Sequence, residues 1–173
     1  MDKYLIKEAD FVPYKDISEN IDEDRLNTYI LDAQFVDIRG FLGQELYKKL
    51  QDDYDEVAGT FTDPLLTALW FGRPYNKVQY YGIKPALVQY AYARLLEHIQ
   101  LNITRAGVRK FDDEESEEVL QSQIYDKSNA AKSMALAYTA DATTYLDFNY
   151  SQYPSWTPTA TKGKTSMNFF KVP

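Results

Sequence analysis

Residues 120–148 read LQSQIYDKSNAAKSMALAYTADATTYLDF. Leu120, Ile124, Lys127, Ala131, Met134, Tyr138, Ala142 and Tyr145 recur at steps of three and four, the near-heptad rhythm of one helix face. No glycine or proline interrupts the chain between Val108 and Tyr153. Just upstream, Asp112, Asp113, Glu114, Glu115, Glu117 and Glu118 form an acidic run suited to a helix N-terminus, where the backbone dipole favours negative charge. These features predict one helix from the acidic run to Phe148, roughly 50 Å long at about 1.5 Å per residue. That exceeds what a small bundle needs, so part of its surface, including Tyr138, Tyr145 and Leu146, is expected to pack on another subunit.

Working towards the N-terminus, Pro85 opens a helix in which Val88, Ala91, Leu95, Ile99 and Ile103 repeat, and Ala86, Ala91 and Ala93 allow a partner helix to approach closely. Asp63-Pro64 reads as an N-cap with proline at the first helical position, opening a short helix that ends near Gly72. Residues 73–83 are expected to form a loop. From Asp22, Leu26, Ile30, Ala33 and Ile38 mark a helix that Gly40 should stop, and Gly40 and Gly43 flank an elbow before a further helix from Gly43 to Tyr54. The expected architecture is all-α: a compact bundle of four to five helices with one long helix in the C-terminal half.

The ends differ from this body. Residues 1–20 mix Leu5-Ile6, Phe11-Val12 and Pro13 without a sustained period and read as an extended arm, before a helical domain over 21–148. Residues 149–173 form a tail with Tyr150, Tyr153, Trp156, Phe169 and Phe170; the first three could fold back on their own domain, but the tail is expected rather to supply aromatic anchors to a partner or a second copy. Residues 168–172 are a candidate added strand. Charge divides the same way. The tail carries Lys162, Lys164 and Lys171 and no acid, so the net charge of -7 leaves -10 on residues 1–147.

An acidic body argues against broad phosphate-backbone binding, which needs lysine and arginine to displace counterions. The loop with Arg105, Arg109 and Lys110 is a minor candidate for phosphate contact, though it also neutralises the acidic run beside it. Cysteine is absent, which removes disulfides and thiolate metal sites. His98 is the one histidine and has no second soft ligand. Asp52, Asp53, Asp55 and Glu56 lack the ligand spacing of an EF-hand. The glycines are too scattered for a nucleotide fingerprint, and no nucleophile motif occurs. The expectation is a non-enzymatic protein without cofactor or metal. No run reaches the roughly 18 apolar residues of a membrane span, and the start lacks the apolar core of a signal peptide.

The segment from Ile30 to Tyr47, with its Leu42-Gly43-Gln44-Glu45-Leu46-Tyr47 element, resembles the opening of a family of tailed-phage head-to-tail connector proteins, notably those of Bacteroides phages of the crAss-like group. Tyr81-Gly82-Ile83-Lys84-Pro85-Ala86-Leu87, Asn102-Ile103-Thr104-Arg105-Ala106-Gly107-Val108 and Tyr145-Leu146-Asp147-Phe148-Asn149 are similar to that family in order and spacing. The resemblance implies a virion subunit that closes into a homo-oligomeric ring, expected to be dodecameric, beneath the portal protein. There it would meet further ring or tail proteins and continue the channel through which double-stranded DNA passes without sequence-specific contact. Such a protein would be assembled in the host cytoplasm and reside at the neck of the particle. The alternative is a soluble phage assembly chaperone or helical protein-binding module that uses the same aromatic tail transiently.

Overall fold

A computed structural model describes residues 3–14, 22–98, 101–104, 107–110 and 121–158, the side chains of 101–104, 107–110 and 121 excepted. The helices are α1 (Glu23–Ala33), α2 (Arg39–Leu42), α3 (Gln44–Asp53), α4 (Pro64–Phe71), α5 (Lys84–His98) and α6 (Gln121–Phe148). Between them lie three antiparallel hairpins: β1 (Tyr54–Asp55) with β2 (Thr60–Phe61), β3 (Arg73–Tyr75) with β4 (Val78–Tyr80), and β5 (Leu101–Thr104) with β6 (Gly107–Lys110). The fold is therefore largely helical rather than all-α.

Local chemistry explains where the helices begin. The Asp22 carboxylate accepts hydrogen bonds from the Asp24 and Arg25 amides, and the Asp63 carboxylate accepts one from Leu65 at 2.8 Å, with Pro64 in the first turn. Each such cap stabilises its helix by about 1 kcal/mol. Gly40 does not stop the first helix. The chain runs through a π-helical turn at Gln34–Ile38 and on to Leu42, and the break falls at Gly43, whose φ of 80° favours glycine. The five-residue step from Ala33 to Ile38 in the apolar pattern is the imprint of that turn, which absorbs one extra residue while keeping both side chains buried.

The π turn also places Gln34 inside, where it holds the N-terminal arm. Its Oε1 accepts from the Leu5 amide at 2.8 Å and its Nε2 donates to the Lys3 carbonyl at 3.0 Å. Gln51 on α3 takes the Lys3 amide at 2.9 Å. Two buried glutamines thus satisfy the backbone of an extended segment that has no strand partner among the described residues, and Leu5, Ile6 and Phe11 sink wholly into the core. The arm is part of the body.

Residues 73–83 are not a loop. Asn76 and Lys77 both have positive φ, forming the two-residue turn that matches strand twist and joins Tyr75 to Val78. The base of this hairpin is closed by Gly72 (φ 85°) and Gly82 (φ 81°): a Cβ on Gly72 would lie 2.2 Å from the Tyr80 carbonyl oxygen, and one on Gly82 would lie 2.2 Å from that of Trp70. Only glycine permits this approach.

Helix α5 is the centre, packing on α1 and α6 with Ala86, Leu87, Val88, Ala91, Ala93 and Leu95 buried. Its described span is Lys84–His98, and Ile99 lies outside the described residues; Ile103, expected to continue the helix, stands in β5. The described α6 spans 28 residues, about 42 Å. The acidic run at 112–118 lies outside the described residues. On α6, Ser128, Ala131, Ala135, Ala142 and Tyr145 are buried, whereas Lys127 and Met134 face outward. The small residues let α6 lie close against the alanine-rich α5, a fit that long side chains at 127 and 134 would prevent.

Candidate subunit interface

Of the residues expected on a partner surface, the structure brings four into the chain's own core, three of them aromatic. Tyr145 and Leu146 are fully buried, and Tyr153 and Trp156 nearly so. Tyr145 stacks on Tyr80 with ring centroids 4.2 Å apart and takes Tyr75 and Tyr153 edge-on. Its hydroxyl lies 3.1 Å from that of Tyr153, which donates to the Leu65 carbonyl at 2.9 Å, and Tyr80 donates to the Leu69 carbonyl at 2.8 Å. Burial drives the Tyr80 and Tyr153 phenols well above their ordinary pKa, with the neighbouring tyrosines adding to the effect. The indole N–H of Trp156 donates to Asp147 at 2.7 Å while its ring meets Phe41. Residues 149–157 are therefore a strap folded back over α4, α2 and the end of α6. These residues are unavailable as partner anchors because their apolar area and hydroxyls are already satisfied internally.

Tyr138 is partly buried against the core, and Tyr150 remains 58% exposed. Phe169, Phe170 and Arg105 lie outside the described residues. Arg109 and Lys110 stand on β6, with their side chains likewise outside.

The exposed apolar surface lies elsewhere. Phe35 and Val36 project from the π turn, where the Arg39 guanidinium sits 3.6 Å above the Phe35 ring. Tyr125, Met134 and Leu136 are exposed between the start and the middle of α6, and Phe148 at its end. Leu136 shares a pocket of about 350 Å³ with Asp37, Tyr90, Arg94, Glu97 and Lys132. In this pocket Arg94 pairs with Asp37 at 2.8 Å, and Glu97 binds Lys132 and the Ser128 hydroxyl. Burial works to raise the Glu97 pKa, but the hydrogen bonds from Lys132 and Ser128 and the charges of Lys132 and His98 outweigh it, and the carboxyl titrates below its ordinary value. The alternation of period along α6 could not reveal these outward residues, but the five-residue step at Ala33–Ile38 marks Phe35 and Val36 as the ones displaced from the apolar face.

Two grooves flank the strap. One, about 390 Å³, runs between α3 and α4 and is lined by Leu46, Leu65 and Leu66 with Lys49, Asp52, Asp53 and Asp63 at its edges. The other, about 480 Å³, lies between residues 40–45 and 154–157. Around the first, Asp53 accepts the Asp63 amide at 2.9 Å and Asp52 pairs with Lys48. Asp55 accepts the Val57 and Ala58 amides, which close the β1–β2 turn and hold its carboxyl below the usual range. His98 stacks on Tyr29, ring centroids 5.5 Å apart. Among the described residues no group of three His, Cys, Asp or Glu side chains converges as metal ligands, and no helix is long and apolar enough to cross a membrane.

No curated protein and no solved structure matches the chain. A family match covers residues 38–166, from the end of the π turn through α6 and the strap, and on that extent the chain belongs to DUF6712, a family of unknown function.

Proposed function

We propose that the chain is a structural subunit that self-associates into the connector ring between the portal and tail of a phage particle. The observation that carries self-association is the set of large apolar side chains left outside a well-filled core: Phe35, Val36, Met134 and Leu136 are each about half exposed or more. Apolar surface of this kind, mixed with paired charges such as Asp37–Arg94, suits a subunit contact that forms after folding. The phage setting rests on the ordered resemblance between residues 30 and 149. The net charge of -7 supports a channel component that DNA slides past rather than grips. The portal protein above and further tail or ring proteins below would be its other partners.

Imaging of native particles, with mass spectrometry of their proteins, tests this reading. A ring at the neck in stoichiometric copy number is the expected result. A chain abundant in infected cells but missing from finished particles would overturn it in favour of an assembly chaperone.

A further inference from the structure

We infer that the groove between α3 and α4 receives the C-terminal segment, residues 159–173, of a second copy of the chain. The inference rests on the self-association reading and names one contact within it. The groove has an apolar floor of Leu46, Leu65 and Leu66 and an acidic edge. With Asp52 already paired to Lys48, Asp53 and Asp63 against Lys49 leave it one negative charge in excess. The segment has the complementary pattern: Lys162, Lys164 and Lys171 with no acid, and Met167, Phe169, Phe170 and Val172 as apolar residues. Aromatic anchors seated on leucines with lysines over carboxylates make a self-consistent pairing.

Length and direction favour a second copy. From Pro158 to Phe169 is 11 residues, which span at most about 40 Å when extended, enough to cross to a neighbour. The strap passes the α3–α4 groove at residues 152–155 and then runs on along the other groove to Thr157, where Trp156 holds it. The described chain therefore ends, at Pro158, next to the second groove and past the first. A segment that leaves one side and is received on another generates head-to-tail contacts, and such contacts close into rings when the rotation allows.

The absence of cysteine makes the test clean. One preparation of the full chain carries Lys49→Cys, which is exposed on the groove edge, and a second carries Phe169→Cys; the two are mixed and treated with a short thiol cross-linker. The expected result is a mixed dimer, and a ladder of multimers when both changes are in one chain. A control pairing Val57→Cys with Phe169→Cys should give little product, since Val57 lies on the β1–β2 turn. Changing all three tail lysines to glutamate should lower the Lys49→Cys yield about fivefold to tenfold, and added salt should act likewise. A synthetic peptide of residues 159–173 carrying a photo-cross-linker at Phe169 should label α3 or α4 of the full chain.

Cross-linking only within single chains would assign the segment to its own groove and overturn the inference, as would equal yields from the Val57 control or peptide labelling elsewhere. These outcomes are separate from the particle images: a ring without this cross-link leaves the connector reading standing and removes only the groove contact.

Discussion

The two halves of α6 pack by different means. Its C-terminal half is anchored by large aromatic and aliphatic side chains: Tyr145 and Leu146 are fully buried, and the tyrosine layer of Tyr75, Tyr80 and Tyr153 closes around them. The part nearer the N-terminus, as far as Leu136, touches α5 through Ser128, Ala131 and Ala135, supplemented by Glu97–Lys132, and leaves Tyr125, Met134 and Leu136 on the surface. Buried apolar area scales with stabilisation at about 25 cal/mol per Å², so the first half secures the fold while the second is held more lightly. A subunit can present its lightly held half to a neighbour without endangering its own core.

The largest expected effect comes from Tyr145→Ala, which removes the centre of the aromatic layer and should cost about 3–5 kcal/mol in chemical denaturation. A cost near that of an ordinary surface change would refute the contrast between the halves. Tyr153→Phe keeps the ring but leaves the Leu65 carbonyl without its hydroxyl donor, and should cost about 1–2 kcal/mol. The same layer gives an alkaline signature. Burial raises the Tyr80 and Tyr153 pKa values above the ordinary 10.0, and burial together with the Asp10, Glu56 and Asp55 carboxylates pushes Tyr54 up to about 12. A phenol whose folded pKa is raised contributes stability that is whole below pH 10 and lost as pH rises towards the folded value. Thermal melts should fall steeply above that point, and tyrosinate absorbance should rise together with unfolding.

In the lighter half the effects are smaller. Glu97 titrates below its ordinary 4.5, so its contribution is present above that pH and fades as pH falls through the folded value. Glu97→Gln should lower stability at neutral pH by less than about 1 kcal/mol and flatten the acid limb of the melting curve. Smallest for the fold, Met134→Lys with Leu136→Lys should leave stability within about 0.5 kcal/mol while blocking incorporation into rings in a particle-assembly assay. Normal incorporation would move the subunit contact away from this face.

Much of the helical framework is legible in residue spacing, because caps such as Asp63-Pro64 and the alanine-rich faces of α5 and α6 act locally. The exact face of α6 was harder to read: Met134 has the apolar character of a core residue, and only the tightness of the α5 contact excludes it. The hairpin at 73–80 depends on positive φ at Asn76 and Lys77, and lysine gives little hint of it. Tyr145 was expected outside because its helix exceeds what a small bundle needs, and Tyr153 because it lies in an aromatic tail; inside, Tyr145 stacks on Tyr80 and Tyr153 donates to the Leu65 carbonyl, contacts across long sequence separations that no local pattern encodes.

The glycine closure of the β3–β4 hairpin constrains how the chain can change over generations. A methyl at Gly72 or Gly82 strikes backbone atoms, not a side chain that another mutation could shrink. Shrinking a neighbouring side chain cannot relieve such a clash, so any other residue at either position must displace the backbone of the stem. The exposed tip at Asn76 and Lys77 meets no such clash, and its restriction is instead the positive φ of its two residues. The two ends of the hairpin are thus constrained by different means, the stem by close backbone approach and the tip by the geometry of its turn.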